Sequence, residues 1–320
     1  MKEVKVKLFA DESKSRIDEL GNYWNYYSLV IIPEDKEKLF IKKLLDARCI
    51  KNYKWCREND CDCGFHDKNN TEIHFKEISQ NHELLVAKNW INLVLENGIQ
   101  NQGQLYFYVL GINTSFLDKS FWKYCDDKDG AIYRKFFGTA IKILKYYFAE
   151  YDKISINAIY HDNSRMEVEE NFYQGLIAML SLDKKFNFET TEILFIDSDH
   201  RKSQQDESHF IQFSDMLLGA ITNYIHYSSK KKKREELTHI LSPLIERIIK
   251  NPRNNKSKYN YARKQQIRFF PSRENFYYNV KDLQGNISSI AFDDLFYTDR
   301  TCLFAQKYVS PEQTNLNKFL

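Results

Sequence analysis

Two apolar runs rich in β-branched and aromatic residues, at 5–10 and at 26–32 (YYSLVII), precede the first helical pattern in the chain. From residue 34 onward helical and extended periods alternate. No other feature constrains the fold as much as this order. Strands separated by helices rejoin one sheet by crossing over its faces, so the chain is expected to form an α/β sheet with helices packed on it.

The first helix is expected to open behind Pro33. Glu34 and Asp35 come early and Lys42 and Lys43 late, the polarity a helix dipole favours. Leu39, Phe40, Leu44 and Leu45 recur at helical spacing. Further helices are expected over 82–97, 130–151, 166–182 and 208–227, and strands over 104–112, 153–161 and 191–196. Residues 71–78 (TEIHFKEI) alternate in polarity and are expected to be extended, with Glu72, His74 and Lys76 on one side.

At 42% hydrophobic and 28% charged residues, the chain is too apolar for disorder, and its 10 Gly and 5 Pro leave little for flexible linkers. The beginning does not resemble a signal peptide and no run reaches membrane length, so a cytoplasmic location, reduced cysteines and no membrane partner are expected. The net charge of +3 says little, but its distribution says more. Residues 250–273 carry eight basic residues and no acid, and 230–234 adds five basic residues in a row. A domain over 1–228 followed by a basic helical and aromatic extension over 229–320 is expected, with a polyanion as partner.

Acids stand where apolar segments stop. Asp11 follows the first strand, and Glu12 follows it directly. Asp162 ends the run at 153–161, and Asp197 ends the run at 191–196. Glu72 lies in the alternating stretch. Asp215 shares a helical stripe with Gln212 and Gly219, where Gly219 would admit close approach to the sheet. Ligand sites of open α/β sheets form outside the carboxyl ends of strands. Clustered carboxylates raise one another's pKa unless a cation joins them, and hard divalent ions suit oxygen donors. Each acid also has a plain structural reading: Asp162 in an Asx turn, Glu72 paired with Lys76.

The motifs FADES, TEIHFKEI, a strand ending YHD, and FIDSDH followed by HFIQFSDMLLGAI resemble, in that order, a bacterial family catalogued as domain of unknown function 3800. The likeness spans about residues 5–227. It implies a ribonuclease H-like mixed sheet flanked by helices, and a metal-dependent nuclease of the kind found near mobile elements and phage-defence genes. It places Asp11, Glu72, Asp162 and Asp215 as catalytic metal ligands, with Glu12 and Asp197 as second candidates. Two Mg²⁺ or Mn²⁺ ions about 4 Å apart would clamp the attacking and leaving oxygens of a phosphodiester. His74, Lys76, His161 and His209 could move protons or touch phosphate. Ser214 stands where the family has Ala, and Lys14 where it often has Gly.

Residues 47–70 interrupt the pattern as a Cys-rich insertion. Cys56, Cys61, Cys63 and His66 supply four ligands of the type zinc takes, so a structural Zn²⁺ is one expectation and ordinary reduced thiols the other. In the basic tail Lys258, Arg263, Lys264, Arg268 and Phe269 interleave cations with aromatics, as nucleic-acid binding requires. The expected function is therefore metal-dependent cleavage of DNA or RNA. The alternatives are a non-catalytic nucleic-acid-binding or complex-forming subunit and a nucleotide phosphohydrolase, with a second copy or another protein as a further partner left open. Neutralising a pure metal ligand such as Asp215 is expected to spare folding.

Overall fold

The computed structural model describes residues 2–18, 21–49, 72–100, 105–117, 128–163, 175–226, 229–250, 265–270, 277–281 and 287–291. A seven-stranded mixed sheet forms the centre, in the order β5-β4-β1-β2-β3-β7, with β6 also pairing to β4. Its strands are β1 (Glu3–Ile17), β2 (Tyr23–Pro33), β3 (Tyr106–Asn113), β4 (Lys153–Asp162), β5 (Phe186–Phe188), β6 (Leu194–Ile196) and β7 (Gln265–Phe270). The pairs β1/β2 and β2/β3 are antiparallel. The pairs β1/β4, β3/β7, β4/β5 and β4/β6 are parallel. A separate hairpin joins β8 (Tyr277–Lys281) to β9 (Ile287–Ala291).

Helices cover both faces. On one side lie α1 (Glu34–Ala47), α2 (Asn81–Gln100), α7 (Glu207–His226) and α8 (Lys232–Lys250), around Phe40, Trp90, Phe213 and Leu241. On the other lie α3 (Lys128–Ile141), α4 (Leu144–Tyr147) and α5 (Leu176–Leu180), around Phe136, Leu144 and Leu180. A short helix, α6 (His200–Ser203), precedes α7. Among the described residues no helix is long and apolar enough to cross a membrane.

Several elements differ from the sequence expectation. β1 does not stop at residue 10 but runs to Ile17, although residues 11–16 are polar. Antiparallel pairing with β2 satisfies their backbone, with Asp11 opposite Ser28 and Ile17 opposite Tyr23. Asp18 closes the hairpin by accepting the Asn22 N–H at 2.8 Å and the Trp24 indole N–H at 2.9 Å, while Gly21 takes the positive φ of 78° that the turn needs. The helix expected over 130–151 is broken into α3 and α4. Residues 72–78 do not form a strand; they hold a turn over 75–77.

The largest revision lies beyond residue 228. The segment 265–270, expected within a basic loop, is strand β7, and every residue of it is buried. Ile267 and Phe269 join the same core as α7, as do Leu237 and Leu244 of α8. The described parts of 229–270 are therefore built into the central sheet and its helical layer, across the boundary expected at 228. The Cys-rich cluster of Cys56, Cys61, Cys63 and His66, together with Lys258, Arg263 and Lys264, lies outside the described residues.

The end of α7 carries a measurable consequence. His226 Nε2 lies 2.7 Å from the Tyr26 hydroxyl and the ring stands edge-on to Trp24. Burial pushes this imidazole down to about 3 from about 6.5 in the unfolded chain. The folded state resists protonation, so His226 costs nothing above pH 6.5 and subtracts stability as pH falls from 6.5 toward 3. At about 1.4 kcal/mol per pH unit, the loss reaches about 2 kcal/mol by pH 5. Urea unfolding at pH 7.5 and 5 should show His226→Gln losing about 2 kcal/mol less than the wild type over that interval. Equal losses would remove His226 as a source of acid sensitivity.

Candidate functional site

The register of the sheet builds the site. Parallel pairing of β1 with β4 ends at Ala10 opposite His161, so the next residues, Asp11 and Asp162, leave side by side. Pairing of β4 with β6 ends at Asp162 opposite Ile196, and Asp197 follows. Three neighbouring strands thus bring Asp11, Asp162 and Asp197 to one region; Asp162 and Asp197 stand at strand ends as expected, whereas Asp11 lies within β1, at the point where its pairing with β4 stops.

Alternation along the strand then sorts the acids by face. Phe9 stacks on Phe210 of α7 at 4.3 Å between ring centroids, while Ala10 faces the layer of α3. Asp11 therefore shares the α7 face with Phe9, and Glu12 turns to the opposite one. There Glu12 Oε2 meets His161 Nε2 at 2.6 Å, and His161 is 1% exposed beside Phe137 of α3. Burial opposes charge on this imidazole, but the Glu12 carboxylate and its hydrogen bond push it up to about 9.

On the α7 face, residues 72–78 hang from the helix by their backbone. The Ile73 N–H donates to Gln212 Oε1 at 3.1 Å and the Phe75 N–H donates to Asp215 Oδ2 at 2.7 Å. Glu77 and Ile78 N–H groups then close a turn on the His74 carbonyl. These donors find side chains instead of a neighbouring strand, which is why an alternating sequence is not a strand here. Ile73, Phe75 and Ile78 are buried. Gly219 does permit a close approach, but to Phe75 of this loop and not to the sheet.

His74 sits between two of the acids. Its Nε2 lies 2.7 Å from Glu72 Oε1 and its Nδ1 3.5 Å from Asp215 Oδ2. Interactions with Asp215 and with Glu72 push the imidazole up to about 11, so it is an imidazolium at neutral pH. The hydrogen bond from His74 in turn holds the Glu72 carboxyl below its ordinary value. The Ser198 hydroxyl donates to Glu72 Oε1 and also lowers Asp162 through a hydrogen bond, so it stands between the two carboxyls. Burial still leaves Asp162 raised overall. Asp11 is raised well above the usual carboxylate range by burial and by the charges of Asp215, Glu12 and Asp162.

The four acids expected as metal ligands therefore share one region, but they do not close on one point. Among the described residues no group of three or more His, Cys, Asp or Glu side chains is placed to hold a metal ion. Glu72 and Asp215 are engaged by His74. Glu12 is paired on the far face. Asp197 accepts the Asp199 N–H at 2.9 Å and lies 3.7 Å from Lys202 Nζ, which ties it to the start of α6. The donors suit Mg²⁺ or Mn²⁺ by type; as arranged, they do not form its cage.

Other expected residues fall elsewhere. Arg268 and Phe269 lie in β7 at 8% and 4% exposure, so neither is presented to solvent for a nucleic acid. His209 is fully buried and stacks on His200 at 4.6 Å, and Lys76 is exposed on the turn. Cys49, just ahead of the expected zinc cluster, is buried. Ser198 and Arg48 belong to the site region, although nothing in their sequence context marks them beyond the position of Ser198 between two aspartates. No protein-family model, no curated protein and no solved structure matches the chain.

Proposed function

We propose that the chain is a ribonuclease H-like, divalent-metal-dependent nuclease acting on nucleic-acid phosphodiesters, with Asp11, Asp162 and Asp215 at its centre and Glu72 beside them. One observation carries the reading: adjacent strands and the buried helix α7 place carboxylates close enough to repel one another at the carboxyl edge of the sheet. The strand arrangement supports the fold half of the reading. An antiparallel series β1-β2-β3 is continued on the other side of β1 by parallel β4 and β5, as in ribonuclease H-like sheets. When bound, Mg²⁺ or Mn²⁺ would neutralise these charges, polarise a phosphoryl oxygen and activate water.

Among the described residues the acids as arranged do not enclose such an ion. What the chain's own groups do is hold positive charge in the ion's place. The His74 imidazolium bridges Glu72 and Asp215 and competes with a cation for both carboxylates. Calorimetric titration with Mn²⁺ tests this. Wild type should take up Mn²⁺, and His74→Ala should bind it about tenfold or more tightly, since a charge-assisted contact of about 1.5 kcal/mol no longer competes. No uptake by either protein would end the metal reading.

The second reading, a non-catalytic nucleic-acid-binding or complex-forming subunit, is favoured by the same absence of three convergent ligands among the described residues. It predicts nucleic-acid retention without carboxylate-dependent Mn²⁺ uptake.

A further inference from the structure

Gln212 is fully buried in α7, one helical turn before Asp215. Its side-chain amide reaches two loops at once. Nε2 donates to the Ser198 carbonyl at 2.5 Å. Oε1 accepts the Ile73 N–H at 3.1 Å and Arg48 Nη1 at 3.2 Å. Arg48 is itself fully buried, with its guanidinium 5.2 Å from the Trp90 ring and Nη1 3.3 Å from His209 Nδ1.

These partners fix the amide in one orientation. Arg48 and the Ile73 N–H only donate, so the oxygen must face them; the Ser198 carbonyl only accepts, so the nitrogen must face it. A flipped amide would set donor against donor and acceptor against acceptor in a buried interior. We infer that Gln212 is a positioning residue that fixes the Glu72 loop and the Ser198 loop to α7, and so sets the spacing of Glu72, Ser198 and Asp162. The inference deepens the reading of this edge as the working site and rests on it.

The geometry has a repeat that supports this role. Backbone donors two residues apart, Ile73 and Phe75, meet side-chain acceptors three residues apart, Gln212 and Asp215. The loop thus docks along one stripe of the helix. Ser198, whose hydroxyl lies between Glu72 and Asp162, is held by its carbonyl from the same amide. No other side chain of this length offers both a donor and an acceptor without taking up a proton. Glutamate keeps the acceptor for Ile73 and Arg48 and loses the donor, while leucine loses both.

Amide hydrogen exchange on the full chain decides the matter, run on wild type, Gln212→Leu and Gln212→Glu. In Gln212→Leu the Ile73 amide should exchange at least tenfold faster, with Phe75 and the amides next to Ser198 following, while the centres of α7 and of β1 to β4 keep wild-type rates. In Gln212→Glu the Ile73 amide should stay protected and only the Ser198 side should loosen. If Gln212→Leu fails to fold, the Gln212→Glu pattern decides alone. An unchanged Ile73 rate in Gln212→Leu would overturn the inference. So would a uniform rise across helix and sheet, which marks bulk destabilisation. Mn²⁺ titration of the same proteins separates the two claims. Uptake by wild type that weakens at least tenfold in Gln212→Leu, and less in Gln212→Glu, supports both. A wild type that takes up none overturns the metal reading alone, and the exchange pattern still decides on Gln212.

Discussion

Gly219→Ala is expected to lower stability by about 2–4 kcal/mol, against the usual gain of about 1 kcal/mol when alanine replaces glycine in a helix. A Cβ at position 219 would stand 2.3 Å from Phe75 Cγ and 2.5 Å from Phe75 Cβ. These are the near atoms of the side chain, so no rotation of the ring relieves the clash and the backbone at 75 must withdraw. Withdrawal breaks the 2.7 Å bond from the Phe75 N–H to Asp215, which is charge-assisted and worth about 1.5–3 kcal/mol. The loop that carries Glu72 and His74 goes with it. Urea unfolding of Gly219→Ala, Phe75→Ala and the double variant reads the effect. Because both single changes act on one contact, the double variant should lose less than the sum of the two. A Gly219→Ala protein as stable as wild type would mean that Phe75 is not seated on α7.

Much of the sheet edge is legible in the sequence because the apolar part of each strand stops on an acid. Apolar runs that stop on Asp11, Asp162 and Asp197 give the three strands and their common edge, and register does the rest. The extension of β1 to Ile17 is not legible. Residues 11–16 are polar, and they are extended because β2 offers its backbone, which is a fact about the partner. β7 is hidden for a related reason. Burial on both faces removes the alternation by which a strand is recognised, and Gln265, Gln266 and Arg268 make the segment look solvated. Residues 72–78 mislead in the opposite direction: their alternation is real, with Ile73 and Phe75 inward, but side chains of α7 accept the backbone donors that a neighbouring strand would have taken. The sequence also places carboxylates in one region without saying what each one faces. His74 between Glu72 and Asp215, and His161 against Glu12, are set by tertiary geometry and tie three of the expected free acids to two imidazoles.

That arrangement divides two acids that the sequence treats alike, and Asp11→Asn and Asp215→Asn are expected to shift stability in opposite directions. Asp215 accepts the Phe75 N–H and stands 3.5 Å from the His74 ring. Its neutral amide would leave an imidazolium with Glu72 alone and weaken the bond that docks the loop, for a loss of about 2–3 kcal/mol. Neutralisation at this position therefore does not spare folding, contrary to the expectation for a pure metal ligand. Asp11 faces the charges of Asp215, Glu12 and Asp162 with burial against it, and the Glu12 N–H that it accepts at 2.8 Å can be kept by an asparagine oxygen. Replacing the carboxyl relieves that burial and repulsion and little else, so the midpoint should rise by about 1–2 °C, about 1 kcal/mol for a chain of this size. Thermal melts at pH 7 in the presence of chelator, with Mn²⁺ titrations alongside, check both. If both residues serve a cation, both variants lose Mn²⁺ uptake while their melts move apart. A destabilised Asp11→Asn would make Asp11 a structural residue, and an Asp215→Asn that melts with the wild type would detach the Glu72 loop from this acid.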